Sequence, residues 1–359
     1  MLTAKTDNGD IQMDANIKKR LAGPDIVRAL AAFFVVAAHF YLNVGYYQTP
    51  MAGHKMYIMT CARWFFISAM PMYMMLTGYF KSNKTVSKEH YKSLIPVLTA
   101  YLVITVIKVF VSNHFYGKIY YFRDTLKKIA DYSLAWYVGM YIGLVVLIPF
   151  LNILWKALKT DKEKHILILS LVFICAVPSL IPYVVPGFFQ ALYPVMYYFM
   201  GVYVRENQEK IRVNKVLLIC IAALMTLING TISYMISKGA FFDPSYPGRF
   251  DNGYPALTVV ICGACIFLLF YDINIENKVI CGVLKFISQV SFEIYIFTGV
   301  FDVIIYSIAY RYLDKNANLF FWLFFAFVPL NFILSVLASN LYRYIYNGIV
   351  KLIVKRYRK

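Results

Sequence analysis

The sequence has few charged residues: Asp, Glu, Lys and Arg make up only 15% of its 359 residues, against about a quarter in a typical soluble domain. Acidic residues are especially scarce, with 18 Asp and Glu against 36 Lys and Arg. So few polar groups cannot cover a soluble body in which 60% of the residues are hydrophobic. The composition therefore excludes an aqueous enzyme, a disordered chain or a nucleic-acid-binding domain as the main body of the protein.

Cysteine is also sparse, and the six cysteines lie in or beside apolar segments. None of them combines with His in the spacing of a metal site in a polar loop, so we expect no metal. Cys262 and Cys265 have the spacing of a redox pair. The hydrophobic run around them instead favours small residues that let neighbouring helices pack closely.

Long apolar runs are what the sequence has in abundance. A helix that spans a membrane needs about 20 mostly apolar residues, and about ten runs of this kind follow one another. They predict an all-α integral membrane protein, a bundle of about ten transmembrane helices. The runs are 26–46, 56–80, 94–115, 132–154, 165–184, 188–204, 216–237, 254–272, 283–308 and 318–346.

The basic residues are distributed unevenly between the two sides of this bundle. If the N-terminus is cytosolic, the cytosolic segments carry 24 of the 36 Lys and Arg, as the positive-inside rule requires. We therefore expect a multi-pass protein of the cell membrane with both termini cytosolic. Its parts would be a cytosolic tail (1–20), one membrane domain (21–350) and a basic cytosolic tail (351–359).

Two polar residues of the first apolar run are the leading functional candidates, because polar groups inside a bilayer are costly. Arg28 and His39 are eleven residues apart, so a helix brings their side chains within about 20° of one face, with a rise of roughly 16 Å. Asp25 lies three residues before Arg28, within reach of an ion pair. The arginine can hold phosphates near the cytosol, and the imidazole can accept a proton from a hydroxyl group near neutral pH. The plainer alternative is an arginine that extends to the headgroups and a packed histidine.

These residues resemble the N-terminal segment of the membrane-bound acyltransferase family 3. The first helix of that family carries an Arg and a His separated by ten residues. Other segments are similar to family motifs in the same order. Each motif is weak alone, but together they span residues 18 to about 345. The segments are Pro71–Phe80, Trp136-Tyr137, Tyr198–Gly201 and Ser291–Ile296.

The resemblance implies an O-acyltransferase, most simply an O-acetyltransferase. The acyl group would pass from cytosolic acyl-CoA, usually acetyl-CoA, to a hydroxyl of a cell-surface or lipid-linked glycan. Membrane lipids would surround the protein, and no nucleic acid is expected as a partner. His39 would be the catalytic base. Arg28, Lys92 and Tyr295 would bind the acyl-CoA, with Asp25, Trp136, Tyr137, Arg63 and Glu293 in supporting roles.

The sequence departs from the family pattern at two places. Thr298 stands where the late motif often ends in His. The family's cytosolic Arg-x-x-Arg is also absent; its loop here offers Lys81, Lys84, Lys88 and Lys92 instead. Lysine supplies charge but not the planar fork of arginine. Of these lysines, Lys92 is the best candidate for a phosphate contact, and plain positive-inside charge is an equal alternative for the others.

Further polar residues fall inside the apolar runs. His39, Arg63, Lys108 and Asp302 lie at similar depths in the outer half of the predicted bundle, so they could line one cavity for the acceptor. Against this, Arg63 and Lys108 could instead extend toward the headgroups, and we favour this alternative for Lys108. Glu293 would lie in the inner half, beside a cation near the donor.

Two other functions remain open at this stage. A polysaccharide or lipid-linked sugar exporter of the same family would not need Arg28 and His39 on one face, or any affinity for acyl-CoA. An ion-coupled carrier is less favoured, because the sequence lacks inverted repeats with matching broken helices.

Overall fold

A computed structural model describes residues 22–117, 122–181, 184–237 and 253–357. The described residues form helices and loops, with no strand among them. Their α-helices are α1 (Gly23–Asn43), α2 (Gly53–Phe66), α3 (Ala69–Lys81), α4 (Lys88–Lys92), α5 (Leu94–Tyr116), α6 (Phe122–Ala130), α7 (Trp136–Ala157), α8 (Asp161–Ala176), α9 (Tyr193–Glu206), α10 (Lys215–Ser237), α11 (Leu257–Phe270), α12 (Lys278–Ser288), α13 (Ser291–Ala309), α14 (Ala317–Phe320) and α15 (Phe324–Tyr357). Two short 3₁₀ helices, Val177–Ser179 and Gly187–Leu192, lie between α8 and α9.

Six helical segments in the described part of the chain are long and apolar enough to cross a membrane, which indicates a multi-pass membrane protein. They are Gly23–Asn43, Lys88–Tyr116, Trp136–Ala157, Lys215–Ile236, Ser291–Ala309 and Phe324–Arg356. The other four predicted runs fold as shorter helices, so the count of ten spanning helices stays a prediction. The predicted tail 1–20 lies outside the described residues, whereas the basic segment 351–357 continues α15.

The predicted run 56–80 is divided into α2 and α3 by a break at Ile67 and Ser68. Pro71 explains the break, because its ring has no N–H to donate and clashes with the carbonyl four residues earlier, that of Ile67. The Ser68 hydroxyl donates to the carbonyl oxygen of Phe65 at 2.6 Å, which satisfies one of the last carbonyls of α2. The run is thus two short helices in sequence.

Helix α1 lies at the centre of the bundle, where it packs against α2, α3, α11, α12, α13 and α15. Most of its side chains are buried, and Pro24 in its first turn suits a helix start. Large apolar side chains are exposed instead on α5, α7, α10 and α15, at positions such as Phe110, Ile153, Val216 and Leu352. Apolar surface of this kind suits contact with lipid.

Helices α3 and α9 approach each other closely through two glycines. A Cβ atom at Gly78 would overlap the carbonyl oxygen of Tyr198, and one at Gly201 would overlap that of Met75. Both glycines belong to segments that resemble family motifs. Their function in this fold is close helix contact, which small residues permit in membranes.

Candidate active site

His39, near the C-terminal end of the bundle's central helix α1, is hydrogen-bonded to Asp302 of α13. The Nδ1 atom of His39 lies 3.1 Å from Oδ2 of Asp302. An ionised carboxylate can only accept a hydrogen bond, so Nδ1 is the donor. In a neutral imidazole this leaves the lone pair on Nε2, the atom that could accept a proton.

The Asp302 carboxylate is held in place from α15. The Asn331 side-chain amide donates to Oδ1 of Asp302 at 2.8 Å, and the Ser335 hydroxyl donates to the Asn331 side-chain oxygen at 2.9 Å. Both residues are buried. Asp302 therefore has a partner on each carboxylate oxygen, and its orientation toward His39 is set by two neighbouring helices.

Arg28 lies on the same side of α1 as His39, facing α13. Its guanidinium contacts the Asp25 carboxylate at 3.6 Å and lies over the Phe80 ring, 4.8 Å from the ring centroid. Asp25 in turn accepts a hydrogen bond from the Ser288 hydroxyl at 2.9 Å. These contacts direct the Arg28 cation toward the space between α1, α3 and α13.

That space is a cavity of about 280 Å³. Charged and polar side chains line one part of it, including Arg28, Lys81 and Glu293, and aromatic rings line the rest, including Tyr73, Tyr137 and Tyr295. A second cavity of about 360 Å³ has an almost entirely apolar lining and does not include Arg28. His39 itself lines neither of these two cavities. The first cavity is therefore the candidate site.

Tyr295 connects this cavity with the histidine. Its ring lies edge-on to His39 at a centroid distance of 6.2 Å, and its hydroxyl accepts a hydrogen bond from the backbone N–H of Tyr137 at 3.3 Å. The rings of Tyr137 and Tyr295 also contact each other at 5.4 Å. A ligand in the cavity would thus extend from a cation to the neighbourhood of an imidazole.

The lysine that lines the cavity is Lys81, whereas the predicted Lys92 is exposed on α4 and does not line it. Lys81 ends α3, and its carbonyl oxygen accepts a hydrogen bond from Asn152 of α7 at 2.9 Å. Asn152 also holds the carbonyl of Lys84 at 2.7 Å. The sequence favoured Lys92 among the four lysines of this loop, whereas the fold brings Lys81 to the site.

Arg63 and Trp136 lie near the His39 end of the bundle, outside the cavity lining. Arg63 donates from Nε to the Tyr47 hydroxyl at 2.9 Å and contacts the Tyr47 and Trp64 rings. Trp136 stacks on Tyr254 at a centroid distance of 5.1 Å. Both are therefore set in aromatic surroundings beside the site.

The loop before α7 also has a defined shape. The Asp131 carboxylate accepts the backbone N–H of Ser133 at 2.9 Å, and this hydrogen bond lowers the pKa of Asp131 below its usual value. Tyr132 adopts a left-handed backbone conformation with φ of 56°. The sequence places Asp131 just before Trp136 but does not reveal the bend at Tyr132, the Asp302–Asn331 contact or the role of Ser335. No local pattern marks them, because each depends on helices distant in the sequence.

Comparison with known proteins identifies the chain's relatives at the level of the family. The sequence model of an acyltransferase domain, that of acyltransferase family 3, matches residues 21–340. The chain belongs to this acyltransferase family. No curated protein and no solved structure gives a significant match.

The region that matches the family model includes every residue of the site described above, from Asp25 to Ser335. Thr298, the departure from the late motif, is fully buried, and its carbonyl oxygen accepts a 3.4 Å hydrogen bond from Asn331. One turn later, Asp302 supplies the polar partner of His39. The site thus combines a carboxylate, an imidazole and an aromatic cavity with a cationic mouth.

Proposed function

We propose that this acyltransferase moves an acyl group, most simply acetyl, from acyl-CoA to a hydroxyl of a cell-surface or lipid-linked glycan. The observation that carries the proposal is the cavity that begins at Arg28 and Lys81 and reaches Tyr295, which contacts the His39 ring. A cationic mouth suits the phosphates of a coenzyme. An aromatic interior suits an acyl-pantetheine arm.

The donor would enter from the Arg28 end. Arg28 is fixed by Asp25 and Phe80, so its guanidinium is oriented before a phosphate arrives. Lys81 adds a second cation. The rise of roughly 16 Å between Arg28 and His39 along α1 would let the thioester approach His39 while the nucleotide stays at the mouth.

In the reaction, Nε2 of His39 takes the proton of the acceptor hydroxyl as its oxygen attacks the thioester carbonyl carbon. The tetrahedral oxyanion then collapses, the C–S bond breaks and the acyl–oxygen bond remains. The leaving thiolate takes the proton from the imidazolium, which yields the ester, free CoA thiol and neutral His39. Asp302 stabilises the imidazolium through Nδ1.

The orientation follows from the charge distribution. The cytosolic side would carry the Arg28 mouth and both chain termini, and the acceptor would approach from the opposite side, near Arg63 and Trp136. Single cysteines at Lys128 and Arg356 in a cysteine-free chain test this with a membrane-impermeant maleimide on intact cells. Labelling is expected at position 128 and not at 356, and the reverse pattern would overturn the orientation.

The function itself is tested by thiol release from acetyl-CoA, measured with the purified protein in nanodiscs. His39→Ala should lower the turnover number at least ~100-fold, as expected for loss of a general base. The matched control is His114→Ala, which removes an exposed histidine of α5 and should leave turnover unchanged. Absence of acetyl-CoA binding and thiol release in the wild-type protein would refute acyl transfer from this donor.

A further inference from the structure

Lys108 lies inside the bundle, close to the His39–Asp302 pair. It projects from α5 toward α13, and its ammonium donates to the carbonyl oxygen of Leu134, in the loop before α7, at 3.2 Å. Because this hydrogen bond turns the side chain inward, the structure contradicts the expectation that Lys108 extends to the headgroups. The cation is retained in the protein interior.

A glycine makes room for this cation on α13. A Cβ atom built at Gly299 would lie 2.7 Å from Nζ of Lys108 and 3.1 Å from its Cε. Gly299 precedes Asp302 by three residues, which places the two on neighbouring turns of one helix face. Lys108 therefore touches α13 just beside the carboxylate that orients His39.

The charge of Lys108 also acts on that carboxylate. Lys108 has an attractive electrostatic interaction with Asp302 and a repulsive one with Lys128. Tyr295 lies beside His39, and Tyr306 and Tyr310 interact electrostatically with Asp302. Lys108 is thus a nearby group whose charge is opposite to that of Asp302.

We propose that Lys108 is a positioning residue of the acyltransferase, which keeps Asp302 ionised and His39 neutral and ready to accept a proton. A carboxylate in a poorly solvated site needs a nearby cation or donors to remain charged. If Lys108 supplies that cation, the imidazole need not be protonated in the resting state. The proposal rests on the proposed function of His39 as the base.

Chemical modification of His39 tests the proposal without requiring acyl transfer. Diethyl pyrocarbonate acylates neutral imidazole, so the rate of His39 carbethoxylation across pH 6–9, followed by mass spectrometry, reports its protonation. His54 is exposed and serves as the internal reference. Lys108→Met should slow His39 modification about tenfold near neutral pH, the effect of 1.36 kcal/mol on an equilibrium, and the rate should recover as the pH rises. Lys108→Arg should stay near wild type.

Gly299→Ala is the second variant, since Lys108→Met leaves the Leu134 carbonyl without its donor and can disturb folding. The added methyl should displace the ammonium and reproduce the slower modification in part. Unchanged pH profiles in both variants would overturn the proposal. The proposal would also be overturned if Lys108→Met slowed His39 modification equally at every pH and Gly299→Ala did not slow it. That pattern would mean that Lys108 has a purely structural role. If His39 modification depends on Lys108 while the wild-type protein neither binds acetyl-CoA nor releases thiol, the positioning inference stands and the proposed function fails.

Discussion

His39 and Asp302 are 263 residues apart in the sequence, yet Nδ1 of the histidine lies 3.1 Å from Oδ2 of the aspartate. This pairing relates the most conspicuous polar residue of α1 to a carboxylate of α13. It gives the imidazole one defined hydrogen-bonding partner and leaves Nε2 directed elsewhere.

Replacing Asp302 by Asn should lower the turnover number by about 10- to 100-fold, part of the ~10²–10⁴-fold that a positioned general base contributes. The KM for acetyl-CoA should hardly change, because Asp302 does not line the donor cavity. Thiol release measures both quantities. Asp314→Asn, at an exposed position, is the control.

The double variant His39→Ala, Asp302→Asn tests whether the two residues act as a unit. We expect it to be about as slow as His39→Ala alone, because Asp302 has no imidazole to orient once His39 has been replaced. Multiplicative losses in the double variant would mean that Asp302 acts independently of His39.

Arg28→Ala should raise the KM for acetyl-CoA by about 10-fold or more, the value of a lost charge-assisted contact of 1.5–3 kcal/mol. The effect should depend on the phosphates of the donor. With S-acetyl-N-acetylcysteamine, a thioester without a nucleotide, wild type and Arg28→Ala should be equally active. A similar loss with both donors would assign Arg28 a structural rather than a phosphate-binding role.

Asn152→Ala should destabilise the protein by about 1–3 kcal/mol, because two part-buried hydrogen bonds to the carbonyls of Lys81 and Lys84 are lost. It should also raise the KM for acetyl-CoA, since Asn152 holds the end of α3 where Lys81 lines the cavity. Tyr198→Phe removes the hydroxyl that donates to Asn152 at 2.6 Å. Like Asn152→Ala, this substitution should lower the stability and raise the KM for acetyl-CoA, but by smaller amounts. A KM unchanged in both variants would separate this network from the donor site.

Gly201→Ala should destabilise the bundle by about 1–3 kcal/mol, the usual cost of overpacking, because its Cβ would overlap the Met75 carbonyl oxygen. The matched control is Gly143→Ala in α7, where a Cβ meets nothing within 4 Å. That substitution should be neutral or stabilising, because alanine favours helix over glycine. Thermal unfolding in detergent distinguishes the two, and equal midpoints would refute the close packing of α3 and α9.

Part of the site could be predicted because it depends on one helix. Arg28, His39 and Asp25 lie on α1, so their spacing alone determines that the first two share a face. Tyr137 and Tyr295 were predicted from motif resemblance, and the fold brings both to the cavity. The sequence favoured Lys92, whereas Lys81 lines the cavity, because a loop's charge does not reveal which of its lysines turns toward a cavity.

Composition, motifs and helical period are enough to establish the membrane character, the family and the face shared by Arg28 and His39. The packing of the helices was needed to show that Asp302 is the partner of His39 and that Lys108 turns inward beside Gly299. The physical reason is that contacts between helices depend on their rotation and relative height. These are set by packing of side chains far apart in the chain, such as Gly78 and Gly201 between α3 and α9, and no local pattern encodes them.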